Sequence, residues 1–154
     1  MLAYVTGRHL SLAQAGIVEV GLPEPDWFVC DVGTSVYRHV HGGYEPDQGY
    51  RRAMRAALGG LDGDGVRDAI GSLDGLEVQE EEKQAEFKVS YYTVGRPAAL
   101  TRAVEQRLAA AGANVNVVPS FDPVSERGLI DVLPAGIAKD YAIRYLHGLS
   151  LIHI

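Results

Sequence analysis

The spacing of apolar residues predicts a chain built from short β-strands and short helices. The apolar runs Leu2–Val5 and Trp27–Asp31 each have the length of a buried strand. The segment Phe87–Tyr92 alternates apolar and polar residues and is rich in β-forming types, so it also predicts a strand. Shorter stretches predict strands at residues 76–78, 115–118 and 129–133, and a turn at 32–34 that leads into 35–37.

Helical spacing fills the segments between these strands. It covers residues 9–15, where Gly16 is expected to end the helix, and also residues 50–58, 66–73, 97–111 and 137–147. The apolar face of helix 50–58 carries Tyr50, Met54, Ala57 and Leu58, whereas Arg51, Arg52 and Arg55 lie on its wet side. The two ends of the chain therefore predict pieces of a β-α-β core around a β-rich middle.

Composition and charge narrow the class of partner. The chain has 154 residues, enough for one domain or two small ones, with 47% apolar and 22% charged residues. Its net charge of −6 argues against nucleic acid as the main partner, because neutralising a phosphate backbone needs a basic face. A small phosphorylated molecule remains compatible with this charge, since it needs only one local positive pocket.

Cysteine usage and hydropathy indicate the cellular environment. The single cysteine, Cys30, excludes a disulfide within one chain and predicts a reducing compartment, with Cys30 as a small buried hydrophobe rather than a nucleophile. No apolar stretch approaches the roughly 20 residues of a membrane-spanning helix, and no secretory signal is present. The sequence thus predicts a cytoplasmic protein with no membrane partner, and it does not indicate an oligomeric state.

The segment that follows the first strand is a candidate anion site. Thr6, Gly7 and Arg8 come directly after Leu2–Val5 and before a helix. Free backbone N–H groups and the positive end of a helix dipole converge at such a point, at the edge where open α/β sheets bind ligands. An ordinary N-cap and turn fit the same residues equally well.

Two lysines and an aspartate are further candidates. Lys139 lies in the first turn of the last predicted helix, where it either contacts a ligand or is a solvated surface lysine. If it faces Thr6, a hydroxyl and an ammonium group clamp one phosphoryl group. Asp131 at a strand end points either to a pocket or to water, and Lys88 lies on the side of its strand opposite Phe87, which is also where a solvated face is expected.

Other polar clusters do not have the spacing of a metal or catalytic site. The stretch Asp62–Gly65 lacks the further ligands of an EF-hand, and no hydrophobic strand precedes it as an aspartate nucleophile requires. An acidic glycine-rich turn fits it better. His39 and His41 share a face of an extended segment without an evident third ligand, so the sequence predicts no metal site.

Several segments, in one order, resemble a known family. They resemble sucrose-phosphate phosphatases, which are haloacid-dehalogenase-like enzymes with a type IIB cap, and Phe87–Tyr91 is similar to a cap strand of that family. The similar segments are Leu2–Arg8, Leu22–Asp26, Asp31–Tyr37, Phe87–Tyr91, Asp131–Pro134, and Lys139 with Ala142–Leu146.

This resemblance implies an α/β fold with a partial haloacid-dehalogenase-like, Rossmann-like core and an inserted α+β cap. It implies core fragments at residues 1–39 and 135–147, a cap at 40–134, and a tail outside the family at 148–154. It further implies a magnesium-dependent phosphatase acting on a small sugar phosphate, either sucrose 6-phosphate or a related disaccharide phosphate. By the same resemblance Thr6, Gly7 and Lys139 contact the phosphate as catalytic residues, and Arg8, Lys88 and Asp131 bind substrate.

The sequence also departs from the family pattern. The Asp-x-Asp-x-Thr nucleophile segment and the Gly-Asp-x-x-Asn-Asp metal loop are not among these 154 residues, so the Mg²⁺ ligands that the family implies are missing. Ser35 stands where the family usually has glutamate, which weakens the case for sucrose itself. We therefore expect a truncated chain that is inactive alone. The alternatives are a non-catalytic carbohydrate- or protein-binding domain, and the phosphatase-like domain of a sucrose-phosphate synthase.

Overall fold

The structure is a computed structural model that describes residues 1–152. It divides into two compact units, each containing one four-stranded sheet. The first unit comprises Met1–Met54 together with the chain from Gly136 onward, and the second comprises Arg55–Ala135. The predicted α/β class is thus observed, with two separate sheets. The helices of the first unit come from both ends of the chain, and those of the second unit come from its middle.

The first sheet has the strand order β1-β2-β3-β4. Strands β1 and β2 are parallel and are joined through helix α1, whereas the other pairs are antiparallel. A short 3-10 turn, Asp31–Gly33, separates β2 from β3. The elements are β1 (Ala3–Val5), α1 (Leu10–Val20), β2 (Trp27–Cys30), β3 (Ser35–Val40), β4 (Gly43–Pro46) and the beginning of α2 (Gln48–Ala57).

Helix α1 does not end where the sequence predicted. His9 caps its first turn, with Nδ1 accepting the N–H of Leu12, and the helix continues through Gly16 to Val20. It stops at Gly21, whose left-handed backbone (φ 72°) is the conformation that glycine provides after a last helical turn. A glycine inside a helix costs about 1 kcal/mol relative to alanine, which packing of the apolar face offsets.

The first unit also extends further along the chain than the predicted boundary at residues 39 and 40. Residues 43–46 form β4, which pairs with β3 through a tight turn at Gly42, so the sheet itself includes them. The ring of Tyr44 on β4 packs edge-on against Phe28 at 4.8 Å, inside a cluster with Ile17 and Cys30. The compact unit ends at Met54, within α2.

The second sheet is wholly antiparallel, with the order β5-β6-β8-β7. Val89 lies against the start of α3, so the alternate residues of β6 and β8 that share its side form the helix-covered face. The opposite face carries Ser90, Tyr92 and Asp131. The elements are α3 (Gly63–Ile70), β5 (Leu76–Val78), β6 (Val89–Thr93), α4 (Ala98–Ala110), β7 (Val115–Asp122) and β8 (Arg127–Pro134), with a 3-10 turn at Glu81–Lys83.

The last helix, α5, returns the chain to the first unit. It spans Lys139–Ile152, so it begins two residues later than predicted and continues through residues 148–152 of the expected tail. Residues 153 and 154 of that tail lie outside the described residues. Within residues 1–152, no helix has both the length and the apolar character that crossing a bilayer requires.

Candidate functional site

Thr6 extends β1 into the loop before α1. Its backbone N–H donates to the Val29 carbonyl at 2.9 Å, which continues the parallel pairing with β2. Its side-chain oxygen accepts the N–H of Arg8 at 3.1 Å, and this bond fixes the hydroxyl at the mouth of the loop. Because that oxygen serves as an acceptor toward the protein, the hydroxyl hydrogen can donate to an anion.

Arg8 joins this loop to the next one. Its carbonyl accepts the N–H of Asp31 at 3.0 Å, so the loop after β1 and the turn after β2 are bonded to each other. Its guanidinium lies back along α1, with Nη1 3.5 Å from the position that a Cβ on Gly16 would occupy. The side chain is exposed and adds positive charge beside the first turn of α1.

The turn after β2 has an unusual backbone. Asp31, Val32 and Gly33 all have positive φ, at 52°, 62° and 99°. Non-glycine residues adopt this region at a cost of about 1–3 kcal/mol, so surrounding bonds must maintain it. Two of them come from Thr34, whose N–H and hydroxyl both donate to the Asp31 carbonyl, at 3.2 Å and 2.9 Å.

This turn lies directly against the start of α5. A Cβ built on Gly33 would be 2.6 Å from the carbonyl carbon of Ala138 and 2.7 Å from the backbone nitrogen of Lys139. On its other side, Val32 Cγ2 is 4.0 Å from the corresponding position on Gly7. The structure therefore brings together the loop that contains Thr6 and Gly7, the turn 31–33, and the helix start that contains Lys139.

Several positive groups lie at this end of the first unit, beside the carboxylates of Asp31 and Asp140. Lys139 is exposed as the first residue of α5, and Arg8 is exposed before α1. Two helix N-termini contribute partial positive charge at the same loops. The neighbouring carboxylate of Asp140 bonds Arg144 at 2.6 Å, an interaction that lowers the pKa of Asp140. Hydroxyl, backbone amide and ammonium donors together can hold a phosphoryl group.

Two tyrosines and an aspartate support the turn and were not among the predicted site residues. The Tyr50 hydroxyl donates to the Gly33 carbonyl at 2.5 Å, and Asp47 Oδ1 accepts both the Tyr50 N–H and the Tyr145 hydroxyl at 2.7 Å. Burial raises the pKa of Tyr50, and burial with the Asp47 carboxylate raises that of Tyr145 to about 12. Tyr50 was predicted on the apolar face of a helix. Because a buried hydroxyl needs a hydrogen-bond partner, this position indicated that Tyr50 would bond to another group, but not which one.

In the second unit the candidate residues lie on the face away from its helices. The Ser90 hydroxyl donates to Asp131 Oδ1 at 2.5 Å, from directly paired positions on β6 and β8. Lys88 lies directly before β6, in an isolated bridge with Ala85, and it is only 7% exposed. The alternative of a solvated lysine is thus wrong, because Lys88 is buried at the beginning of the strand. Hydroxyl, carboxylate and ammonium groups together are suited to hydrogen-bonding a polyol.

The polar residues whose spacing did not fit a metal or catalytic site have structural roles. Asp62 is the N-cap of α3, accepting the Gly65 N–H at 3.1 Å, and Asp64 pairs with Arg67 in the same helix. Cys30 is fully buried, as predicted, and burial together with the Asp31 charge raises its thiol pKa to about 12. Across the part of the chain that the structure describes, no group of three or more His, Cys, Asp or Glu is arranged to hold a metal ion.

Comparisons with known proteins agree with the observed fold. The two-sheet α/β architecture is that of haloacid-dehalogenase-like hydrolases with a cap. More specifically, the chain belongs to the sucrose-6F-phosphate phosphohydrolase family, whose model matches residues 1–151. That family consists of phosphoric monoester hydrolases.

Two curated relatives match nearly the whole chain. A Nitrosococcus oceani protein assigned to the HAD-like hydrolases is 34% identical over 148 residues, covering 95% of this chain and 40% of its own length. The mannosylfructose-phosphate phosphatase of Agrobacterium fabrum is 30% identical over 148 residues, covering 96% of this chain and 56% of its own length. The chain therefore spans about half the length of the curated relatives it matches.

Two solved structures have a similar fold. The sucrose-phosphatase of Synechocystis sp. PCC6803, solved with sucrose and phosphate, superimposes with a TM-score of 0.75 at 25% identity, covering 97% of this chain and 57% of that one. A haloacid dehalogenase-like hydrolase of Bacillus subtilis superimposes with a TM-score of 0.51 at 16% identity, covering 87% and 50%. The second likeness supports the fold alone.

Proposed function

We propose that this chain carries the phosphate-binding loops and the sugar-recognition sheet of a cytoplasmic sugar-phosphate phosphatase. The substrate class is sucrose 6-phosphate or a related disaccharide phosphate. The observation that carries the proposal is the meeting, in the first unit, of the Thr6–Gly7 loop, the turn at Gly33 and the start of α5 at Lys139. Family membership supports the reaction class.

In the first unit, each donor has a defined task toward the phosphoryl group. Thr6 donates its hydroxyl hydrogen to one phosphoryl oxygen, and the amides of the loop at Gly7 donate to another. Lys139 places an ammonium charge where negative charge accumulates during transfer. Arg8 adds a second positive charge at the loop.

In the second unit, Lys88, Ser90 and Asp131 recognise sugar hydroxyls. Asp131 already accepts one hydrogen bond from Ser90, which orients its carboxylate so that the other oxygen can accept from a hydroxyl group. Lys88 is buried directly before β6, and its ammonium group can donate to a sugar oxygen. Burial of an ammonium group costs less free energy when oxygen atoms accept its hydrogen bonds, as sugar oxygens would.

The chemistry also requires an aspartate nucleophile and carboxylates for Mg²⁺. We propose that neither is supplied by these 154 residues, since the described residues contain no suitable ligand cluster and no strand-end aspartate pair. Mg²⁺ would supply charge neutralisation at the phosphoryl group, but no side chains among the described residues are arranged to hold it. The chain alone is therefore expected to bind phosphate without turning over substrate.

Titration of the isotopically labelled chain with inorganic phosphate tests the first unit. We expect chemical-shift changes at the amides of Gly7, Arg8 and Lys139, and a dissociation constant about tenfold weaker in Thr6→Val and in Lys139→Met. Lys83→Met removes an equal charge from the second unit and should leave the constant unchanged. Shift changes spread over the surface, or equal weakening by Lys83→Met, would contradict the proposed site.

Two further measurements test the second unit and the missing chemistry. Titration with sucrose should shift the signals of Ser90 and Lys88, and Asp131→Asn should weaken this response while Asp122→Asn, at the far end of β7, should not. Incubation with sucrose 6-phosphate and Mg²⁺ should release no phosphate above background. Turnover at ordinary enzymatic rates would overturn the statement that the nucleophile is missing.

A further inference from the structure

We infer that Tyr50 is a positioning residue that holds the anion-binding turn against the start of α5, assisted by Tyr145. The inference rests on the proposed function, in which that turn and that helix start border the phosphate. Neither tyrosine is placed in contact with substrate. Each acts through the backbone that it holds.

The Tyr50 hydroxyl reaches a peptide at the centre of the site. It donates to the Gly33 carbonyl at 2.5 Å, and the ring is almost completely buried. The same peptide unit is held at its other end, because the Thr34 N–H donates to the Asp31 carbonyl at 3.2 Å. Both polar groups of this peptide are thus bonded, which fixes its plane between the turn and β3.

Tyr145 connects α5 to the same support. Its hydroxyl donates to Asp47 Oδ1 at 2.7 Å, and its ring packs edge-on against Tyr50 with centroids 4.9 Å apart. Asp47 also accepts the Tyr50 N–H, so one carboxylate joins the start of α2 to the middle of α5. Gly49 leaves room for this arrangement, since a Cβ there would lie 2.5 Å from the Tyr145 hydroxyl.

These contacts determine the distance between the turn and Lys139. Gly33 packs on the backbone of Ala138 and Lys139, and positive φ at the two non-glycine residues before it makes the turn costly to maintain. Loss of the Tyr50 hydroxyl leaves the Gly33 carbonyl without its buried donor, so the turn can relax away from the helix. The expected result is a looser anion pocket at nearly unchanged overall packing.

A matched pair of variants separates this effect from a loss of stability. Tyr50→Phe removes the hydroxyl and keeps the buried ring. Tyr44→Phe is the control, because the Tyr44 hydroxyl also donates to a loop carbonyl, that of Pro25 at 2.8 Å, elsewhere in the same unit. Tyr145→Phe is a third variant, which removes the bond to Asp47 and should resemble Tyr50→Phe.

Two readouts on the full chain are decisive. In Tyr50→Phe, amide exchange at Thr34 and Tyr141 should accelerate relative to Tyr44→Phe, and the dissociation constant for inorganic phosphate should rise about fivefold. Exchange rates and phosphate affinity equal to those of Tyr44→Phe would overturn the inference. If the unsubstituted chain shows no response to phosphate at Gly7 and Lys139, the proposed function fails, while the exchange rates still decide whether Tyr50 holds the turn.

Discussion

Gly33 lies so close to Lys139 that a side chain at position 33 would collide with the backbone of the last helix. A Cβ at that position would lie 2.7 Å from the Lys139 nitrogen, a separation that Cβ atoms in proteins do not show. Residues separated by more than 100 positions in sequence thus share one contact surface. The packing of α5 on the turn after β2 depends on the absence of a side chain there.

Replacing Gly33 with alanine is therefore expected to destabilise the first unit strongly. The substitution adds a backbone penalty, because φ is 99°, to a collision with Ala138 and Lys139. We expect the free energy of unfolding to fall by about 3 kcal/mol, measured by urea denaturation.

Gly42→Ala is the matched control for this prediction. Gly42 has nearly the same φ, 97°, but no heavy atom lies within 4 Å of its Cβ position. We expect the free energy of unfolding of this variant to fall by only about 1 kcal/mol, which is the cost of the backbone conformation without a collision. Equal losses in the two variants would show that the contact with α5 adds nothing to the cost.

The thiol of Cys30 predicts a dependence of stability on alkaline pH. Its pKa is about 12 in the folded chain against an ordinary value of 9.0. The folded state therefore retains the proton that the unfolded state loses, so this contribution is intact below pH 9 and disappears as pH rises toward 12. Between pH 9 and 10 the thiol alone should make stability fall with a slope that approaches about 1.4 kcal/mol per pH unit, and the buried tyrosines with raised pKa values add to that fall.

The variant Cys30→Ala isolates that slope. It lowers stability by a constant amount, because a buried sulfur is removed, but it should remove the thiol's share of the slope between pH 9 and 10. Alkylation by iodoacetamide at pH 8 should be slow in the folded chain and rapid in urea. Fast alkylation without denaturant would show that the thiol is reachable and ionised, contrary to its burial.

Asp62 should be important for stability and have no role in metal binding. As the N-cap of α3 it satisfies the Gly65 N–H, and Asp62→Ala should lower the free energy of unfolding by about 1 kcal/mol. Asp64→Ala removes an exposed partner of Arg67 and should cost less than half as much. Thermal denaturation of the two variants compares their stabilities. Repeating it with about 5 mM CaCl₂, enough to occupy a weak site, tests for a bound cation, because calcium binding would raise the midpoint.

Removing the charge of Lys88 is expected to preserve or raise the stability of the chain but to weaken its binding of a sugar. Its ammonium group is buried at the start of β6, so Lys88→Met should keep the free energy of unfolding within about 0.5 kcal/mol of the parent or raise it. The same variant should lose the response of Ser90 to sucrose. Lys83→Met, at an exposed lysine paired with Glu80 at 3.0 Å, should change neither quantity. A loss above about 2 kcal/mol in Lys88→Met would indicate a structural role instead.

Local patterns were sufficient to predict most elements. The strand Leu76–Val78 was predicted with its observed bounds. Tyr50 and Met54 are buried on α2, and Leu58 is buried directly after its end, as the helical spacing predicted. Strand β7 was predicted to end at Val118 but continues to Asp122 through Pro119. Proline is tolerated because β7 is an edge strand, and strand order cannot be derived from a local pattern.

The candidate site residues have local signatures, but the contacts that support them do not. A hydroxyl and glycine after a strand, and a lysine at a helix start, marked Thr6, Gly7 and Lys139 as candidates, and the family resemblance implied their role. The contact between Gly33 and α5 has no such signature, because it depends on tertiary packing. The same holds for the bond from Tyr50 to Gly33, where sequence indicated only that a buried hydroxyl would need an acceptor.

The pairing of Val32 with Gly7 restricts how this end of the sheet can be redesigned. A branched side chain occupies a backbone conformation that favours glycine, and its methyl group fills the space beside a residue that has no side chain. Glycine at position 32 would relax the backbone but leave that space empty, and a bulky residue at position 7 would meet the valine. A residue larger than alanine at position 7 is therefore expected to need a smaller residue at position 32.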